Sequence, residues 1–201
     1  MADVLLFHHV QGLTPGVIAF ADALRASGHT VHVPDLFDGR TFDSIEDGMS
    51  FVRENGGFAA VDERGRVAAE HLTESLVYAG FSMGVVPAQQ LAQNRAGARG
   101  ALFFSACLPA EEFGIWPEGL RAQVHGMEAD PFFAEEDGDL AAALALAAQQ
   151  KTVEVLLYPG DQHLFADSSL PSFDAEANAL LVSRTIEFLN SIEGSAPQPV
   201  N

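Results

Sequence analysis

Short apolar segments alternate with helix-forming segments along almost the whole chain. Six segments have the length of strands, 4–7, 30–33, 76–79, 101–104, 122–125 and 153–157, and three of them (4–7, 76–79 and 101–104) are apolar throughout. Strands that are apolar at every position, rather than at every second one, are typical of a parallel sheet that is covered on both faces. The alternation therefore predicts an α/β fold, with a mostly parallel sheet of about six strands and helices on both faces.

The segments between these strands have the composition of helices. We predict helices over 17–26, 64–74, 83–95, 140–150 and 174–192, and a short helix within 42–57. The first of them is expected to end at Gly28. Pro87 lies inside the segment 83–95, where a missing backbone N–H is unfavourable, so we expect the first turn of that helix to be distorted.

The chain of 201 residues has the size of one domain. We assign this domain to residues 1–193 and expect residues 194–201, with the sequence Gly-Ser-Ala-Pro-Gln-Pro-Val-Asn, to be a disordered tail. Only residues 105–119 and their neighbours separate the strand over 101–104 from the strand over 122–125. This connection is too short for a cap domain, so the edge of the sheet above it should be open.

The formal net charge is −18, from 10 basic and 28 acidic residues. This charge disfavours nucleic acid and anionic membranes as partners, because both need a basic face. The chain has no apolar run of membrane-spanning length, and its start does not resemble a signal peptide. The single cysteine, Cys107, excludes an internal disulfide framework and a multi-cysteine zinc site. We therefore expect a cytoplasmic protein without a metal or cofactor.

A serine between two glycines follows the third predicted strand. The sequence Gly80-Phe81-Ser82-Met83-Gly84 lies between a strand and a helix, which is the context of a nucleophile elbow. Side chains two positions before and after the serine would collide with the strand and the helix, so glycine is needed there. Ser82 is therefore the predicted nucleophile, and the N–H of Met83 is a predicted oxyanion donor. A glycine-rich turn with an idle serine is the alternative.

A serine nucleophile needs a histidine base and an acid that orients the histidine. In an α/β sheet of this kind the three follow in the order serine, acid, histidine, each after a strand. Asp130 follows the strand over 122–125, and His163 follows the last strand. We predict Asp130 as the acid and His163 as the base, and Glu128 and Asp161 are the alternatives for the acid.

Two adjacent histidines, His8 and His9, follow the first strand at the same edge of the sheet. A metal site formed by this pair and His163 is disfavoured, because no acidic ligand accompanies the pair at a diagnostic spacing. We predict instead that this loop contributes to the oxyanion hole, with the N–H of Val10 as its donor. His125 and Cys107 are expected to be buried packing residues.

Five segments resemble the dienelactone hydrolase family of α/β-hydrolases. They are Phe7-His8-His9-Val10-Gln11-Gly12, Val33-Pro34-Asp35-Leu36-Phe37, Gly80-Phe81-Ser82-Met83-Gly84, His125-Gly126-Met127-Glu128-Ala129-Asp130 and Gly160-Asp161-Gln162-His163. The resemblance extends over nearly the whole chain. It implies a minimal α/β-hydrolase fold without a cap, a triad of Ser82, Asp130 and His163, and an oxyanion hole from Met83 and Val10.

The chain departs from the namesake enzymes of this family at three positions. Those enzymes have a cysteine nucleophile where this chain has Ser82, a glutamate in the first loop where it has His9, and a carboxylate-binding arginine where it has Asp167. The resemblance thus implies the fold and the triad but not the dienelactone substrate. An aspartate at position 167 favours neutral short-chain esters over anionic substrates.

We therefore expect a serine hydrolase that cleaves small carboxylic esters or lactones through an acyl-enzyme. Thioesters and small peptides fit the same chemistry, and a non-catalytic ligand-binding protein with this fold is the alternative. The expected substrate contacts are His9, Phe37, Trp116, Phe165 and Asp167, with Phe81, Phe113 and Phe132 as further aromatic candidates. The sequence leaves the oligomeric state open.

Overall fold

The computed structural model of the protein describes residues 1–136 and 138–193. The centre of this part is a sheet of six strands: β1 (Asp3–Phe7), β2 (Thr30–His32), β3 (Val77–Phe81), β4 (Gly100–Phe104), β5 (Ala122–Met127) and β6 (Val153–Tyr158). The strands lie in the order β2-β1-β3-β4-β5-β6, and every neighbouring pair is parallel. The predicted α/β fold with a parallel sheet of six strands is confirmed.

The described residues also form six α-helices: α1 (Pro15–Ala26), α2 (Ile45–Glu54), α3 (Gly57–Ala69), α4 (Val85–Asn94), α5 (Asp139–Gln149) and α6 (Ala175–Glu193). Helices α2 to α5 pack on one face of the sheet, and α1 and α6 pack on the other. Successive strand residues point to opposite faces. In β1, Leu5 and Phe7 face the core beneath α2–α5. Val4 and Leu6 face the core beneath α1 and α6. This double burial explains why the central strands β1, β3 and β4 are apolar on both faces, whereas the edge strands β2 and β6 include exposed positions.

The predicted helix over 64–74 has different bounds, because α3 begins at Gly57 and ends at Ala69. Gly56 and Gly57 have φ angles of 98° and 69°, so a tight turn joins α2 directly to α3. Gly65 lets α3 approach α4 closely, since a Cβ at this position would lie 2.3 Å from Cβ of Pro87. The start of α3 thus depends on a glycine turn and its packing on a contact with α4, neither of which its hydrophobic pattern contains.

The helix after Ser82 begins later than predicted. Residues Ser82–Gly84 form a 3₁₀ turn, and α4 starts at Val85. Pro87 therefore lies in the first turn of α4, where backbone N–H groups have no acceptor within the helix, so proline is tolerated. The distortion that we expected at this point is present as the 3₁₀ turn.

The connection between β4 and β5 contains a short 3₁₀ turn (Ala110–Glu112), and the described residues include no cap domain. None of the helices in the described ranges has an apolar stretch that would cross a lipid bilayer. The predicted tail, residues 194–201, lies outside the described residues. The last helix, α6, is described up to Glu193, and the boundary of the domain at residue 193 stays a prediction.

Two histidines are completely buried in the fold, His8 directly after β1 and His125 in β5. Burial lowers the pKa of His8 to about 4 and the pKa of His125 to about 3, because an apolar interior disfavours the charged imidazolium. Nδ1 of His125 lies 2.8 Å from the hydroxyl of Tyr158. His125 is a core residue, as expected, and Cys107 is also completely buried.

Acid should destabilise the protein through these two histidines. An unfolded histidine binds its proton near pH 6.5, whereas His8 and His125 stay neutral in the fold until about pH 4 and about pH 3. Their contribution is therefore complete above pH 6.5 and is lost progressively below it, by about 2 kcal/mol per histidine between pH 7 and pH 5. Urea unfolding at the two pH values measures this loss.

The variant His125→Gln isolates one of the two contributions, because glutamine does not titrate in this range and keeps a polar group beside Tyr158. Its free energy of unfolding should fall by about 2 kcal/mol less than that of the wild type between pH 7 and pH 5. An equal fall in both proteins would contradict the proposed cause.

Candidate active site

Ser82 lies on a sharp turn between the C-terminal end of β3 and α4. Its φ angle is +47°, a left-handed conformation that residues other than glycine rarely adopt. A Cβ at Gly80 would lie 2.2 Å from the carbonyl oxygen of Gly84, and a Cβ at Gly84 would lie 2.6 Å from that of Phe7. Both glycines are therefore needed for the turn to fit against itself and against β1, as the sequence predicted.

A continuous series of hydrogen bonds joins Ser82, His163 and Asp130. Oγ of Ser82 lies 2.8 Å from Nε2 of His163, and Nδ1 of His163 lies 2.8 Å from Oδ2 of Asp130. Because a carboxylate can only accept, Nδ1 carries the proton and donates to Asp130, which leaves Nε2 to accept from the serine hydroxyl. The residues predicted as nucleophile, base and acid are thus brought together in the order that general-base catalysis requires.

Asp130 is held in place from its other side. The side chain is completely buried, and Oδ1 accepts hydrogen bonds from the N–H groups of Phe132 (2.9 Å) and Phe133 (3.2 Å). The alternatives for the acid, Glu128 and Asp161, are both exposed. The loop after β5 therefore turns Asp130 towards His163 and Glu128 towards solvent.

The two predicted oxyanion donors, Met83 and Val10, line the cleft beside Ser82. Met83 is the second residue of the 3₁₀ turn, and the first N–H groups of a helix have no acceptor within it. Val10 lies in the loop after β1, against which α2 packs so closely that a Cβ at Gly48 would lie 2.2 Å from the carbonyl oxygen of Val10. The backbone at both positions is thus constrained next to Ser82.

A cleft of about 440 Å³ opens above Ser82 and His163, which is the size of a site for a small ligand. Its other lining residues are mostly apolar: Val10, Ile45, Met49, Phe58, Met83, Val86, Ala106, Leu108, Pro109 and Phe132. Glu112 and Asp139 also line the cleft, and no lysine or arginine of the described residues does so. The cleft therefore presents a mostly apolar surface with two acidic side chains.

The model of the dienelactone hydrolase family matches residues 2–193 of this sequence. The chain belongs to this family. A membership that covers nearly the whole chain confirms the resemblance drawn from the five sequence segments. No curated protein sequence matches the chain.

Solved structures of other α/β-hydrolases share the fold at low sequence identity. A dienelactone hydrolase-like promiscuous phosphotriesterase from metagenomic libraries has a TM-score of 0.71 at 18% identity, covering 96% of this chain and 87% of that one. A dienelactone hydrolase-like protein from Klebsiella pneumoniae has a TM-score of 0.68 at 18% identity, covering 94% and 87%. A cold-adapted esterase from an Arctic intertidal metagenomic library has a TM-score of 0.60 at 15% identity, covering 92% and 82%.

Most of the aromatic side chains that we expected in the cleft lie elsewhere. Phe37 and Trp116 are in the core beneath α2–α5, and Phe81 and Phe165 are in the core beneath α1 and α6. Phe132 lines the cleft, with its ring 4.8 Å from that of His163, and Phe113 is not among the lining residues. The physical reason is that aromatic side chains gain more by packing in a core than by facing solvent.

Two of the positions at which the chain departs from the dienelactone hydrolase pattern contact each other. Nε2 of His9 lies 2.7 Å from Oδ2 of Asp167, and both side chains are buried. Nδ1 of His9 accepts from the N–H of Gln11 (3.2 Å), so Nε2 carries the proton and donates to the carboxylate. His9 and Asp167 were expected to contact the substrate, but they lie behind the cleft because each satisfies the other.

The carboxylate of Asp167 is stabilised in its charged form. Burial by itself raises the pKa of Asp167, but hydrogen bonds from His9, Ser169 and Thr14 outweigh burial and lower it to about 2. A Cβ at Gly16 would overlap Oδ1 of Asp167, so the start of α1 needs glycine there. The charge of Asp167 is thus compensated within the fold and does not face the cleft.

Two residues that hold the site in place did not stand out in the sequence, Ser105 and Gln89. Ser105 follows β4, has a φ angle of 58°, and its hydroxyl donates to the carbonyl of His163 (2.6 Å). Its position directly after a strand was a usable signal. Gln89 in α4 is completely buried, and its amide donates to the carbonyl of Leu108 (2.8 Å) in the cleft wall.

Both ring nitrogens of His8, the residue before His9, form hydrogen bonds. Nδ1 donates to the carbonyl of His9 (2.7 Å), and Nε2 accepts from the N–H of Leu36 (3.0 Å). Among the described residues, no group of three or more histidine, cysteine, aspartate or glutamate side chains is arranged to hold a metal ion. The roles of His8 and His9 therefore follow from their hydrogen bonds within the protein.

Proposed function

We propose that this chain is a serine hydrolase that cleaves small carboxylic esters or lactones through an acyl-enzyme. The observation that carries the proposal is the series of hydrogen bonds from Ser82 through His163 to Asp130 at the base of a mostly apolar cleft. Membership of the dienelactone hydrolase family, which covers residues 2–193, supports hydrolysis as the reaction class.

In the first half of the reaction, Oγ of Ser82 attacks the ester carbonyl while its proton moves to Nε2 of His163. Asp130 stabilises the resulting imidazolium and keeps the ring in the orientation that faces the serine. The N–H groups of Met83 and Val10 donate to the carbonyl oxygen as it becomes negatively charged. His163 then protonates the leaving alkoxide, and the acyl group remains on Ser82.

In the second half, water takes the place of the alcohol. His163 accepts a proton from this water as the water attacks the acyl carbonyl, and it returns the proton to Oγ of Ser82 when the acid leaves. The cleft is open to solvent at Glu112, which is exposed, so water and product need no domain movement to exchange. A small molecule is therefore the proposed partner of the site, and the cytoplasmic location stays a prediction from the sequence.

A fluorophosphonate probe tests the proposal directly, because it reacts with serine hydroxyls that a neighbouring base activates. We expect a stable adduct on Ser82, located by peptide mass spectrometry, and no adduct in a Ser82→Ala control. A folded protein that the probe does not label would favour the alternative, a ligand-binding protein with a hydrolase fold.

The charge of the cleft predicts a preference between matched substrates. Glu112 and Asp139 line the cleft, and a carboxylate about 4 Å from either one is repelled by about 1 kcal/mol even in water, which is roughly 5-fold in rate. We therefore expect kcat/KM for p-nitrophenyl valerate to exceed that for p-nitrophenyl hemiglutarate, which has the same chain length and a terminal carboxylate, by roughly 5-fold or more. Steady-state kinetics at low salt measures the ratio.

The reason for this preference differs from the one drawn from sequence, because Asp167 does not face the cleft. Two nearby arginines do not line the cleft either. Arg40 lies over the ring of Phe51 (5.2 Å), and Arg53 donates to the hydroxyl of Ser50 (2.9 Å). Glu112→Gln should reduce the preference, whereas Asp167→Asn should leave it unchanged. A wild type that prefers the hemiglutarate would refute the electrostatic argument.

A further inference from the structure

The peptide bond between His9 and Val10 has its carbonyl and its N–H in opposite surroundings. The carbonyl of His9 accepts two hydrogen bonds, from Nδ1 of His8 (2.7 Å) and from the N–H of Gly12 (3.0 Å). The N–H belongs to Val10, which lines the cleft beside Ser82. Because a trans peptide is planar, its carbonyl and N–H point in opposite directions. Two donors on the carbonyl therefore set the direction of the Val10 N–H.

His8 is itself fixed from both sides. Its ring is completely buried and packs edge-on against Phe37, with ring centroids 4.8 Å apart. Nε2 accepts from the N–H of Leu36 (3.0 Å), which selects the tautomer with the proton on Nδ1. The donor that reaches the His9 carbonyl thus has one orientation and one protonation state.

The side chain of His9 anchors the other side of the same peptide. It donates to Asp167, which is four residues after His163. His9, Phe81, Leu164 and Asp167 line one small void of about 10 Å³, so the ring of His9 lies behind the elbow and beside the loop that carries His163. The hydrogen bond between His9 and Asp167 therefore connects the loop after β1 with the loop that carries His163, and these two loops flank Ser82.

We propose that the adjacent histidines His8 and His9 are positioning residues that orient the His9–Val10 peptide, so that the N–H of Val10 donates to the oxyanion. Neither ring touches the substrate, because both are buried behind the cleft. This inference rests on the proposed function, since an oriented donor matters only if a tetrahedral intermediate forms above Ser82. It assigns a role to a sequence feature that the triad does not use.

Two amide variants of His8 separate positioning from general stability. His8→Asn places an amide N–H near Nδ1, so it retains the donor to the His9 carbonyl and loses the contact with Leu36. His8→Gln places its amide oxygen near Nε2, so it retains the acceptor for Leu36 and loses the donor. Each variant removes one buried hydrogen bond, so a merely structural role predicts similar losses of activity in both.

We expect His8→Gln to lower kcat for p-nitrophenyl acetate by roughly 10- to 100-fold with little change in KM, because a displaced oxyanion donor weakens the transition state alone. The affinity for phenylboronic acid, which forms a tetrahedral adduct with the serine, should fall by a similar factor. His8→Asn should stay within about threefold of the wild type in both measurements, and melting temperatures report stability separately.

His9→Phe provides a second variant, which keeps the ring and removes its hydrogen bonds to Asp167 and Gln11. It should also lower kcat and boronic acid affinity in parallel, with KM unchanged. The inference is overturned if His8→Asn and His8→Gln lose kcat equally, or if either His8→Gln or His9→Phe keeps wild-type kcat and boronic acid affinity. A wild type that neither hydrolyses esters nor binds the boronic acid would overturn the proposed function itself.

Discussion

Replacement of Ser82 by alanine should lower ester turnover by about 10⁴-fold or more and leave the melting temperature nearly unchanged. The variant removes the attacking oxygen, and only oxyanion stabilisation and substrate binding remain to accelerate hydrolysis. Ser82 makes one side-chain hydrogen bond, to His163, and alanine has a Cβ like serine, so the left-handed turn is equally strained in both. Stopped assays at high enzyme concentration and calorimetry measure the two quantities.

Ser105→Ala is the matched comparison, because Ser105 also has a positive φ angle. Its hydroxyl also forms a hydrogen bond with His163, but with the backbone carbonyl of His163 and not with the ring. This variant removes a support of the base and keeps the nucleophile, so its loss of turnover should be far smaller than that of Ser82→Ala. A Ser82→Ala protein that retained a tenth of wild-type activity would remove Ser82 from the mechanism.

Replacement of Asp130 by asparagine should lower kcat by about 10⁴-fold, because the amide reverses the hydrogen bond to His163. The asparagine oxygen can still accept from the N–H groups of Phe132 and Phe133, so its NH₂ group faces Nδ1 of His163. The proton of the imidazole then moves to Nε2, which can no longer accept from Ser82. The fold should survive, since the shape of the side chain is unchanged.

Glu128→Gln and Asp161→Asn are the controls for this prediction, because each removes one of the rival carboxylates. Both residues are exposed, so we expect kcat within about twofold of the wild type. Rate measurements at pH 7 on the three variants decide between the carboxylates. A crippling Glu128→Gln variant would mean that the loop after β5 has a different geometry in the active protein.

The sheet was predictable because its pattern is local. The segments 4–7, 76–79 and 101–104 are apolar at every position, the other three are mixed, and glycine, proline or a polar loop follows them, so the number of strands and the α/β class followed from the chain itself. Helix bounds were less predictable. The start of α3 depends on the turn at Gly56 and Gly57, and its packing depends on Gly65 fitting against Pro87, a contact between segments that are distant in the sequence.

Some residues of the candidate site were likewise predictable from the sequence, and others were not. Ser82, Asp130 and His163 stand out because each is a polar residue that follows an apolar strand, and parallel strands bring their C-terminal ends to one edge. The cleft wall does not stand out, because Ile45, Met49 and Leu108 have the same composition as core residues. An apolar or aromatic residue has no local feature that tells whether it faces a cleft or a core, so Phe37, Trp116 and Phe165 were misplaced.

The sequence by itself determined the parallel sheet, the elbow at Ser82 and the order of the three polar residues, since these depend on patterns within a few residues of each other. Only the tertiary structure decided the partners of His9 and Asp167, which are 158 positions apart. A buried polar group must find a hydrogen-bond partner, and which partner it finds depends on how the loops pack. The same packing placed these two residues behind the cleft, outside its lining.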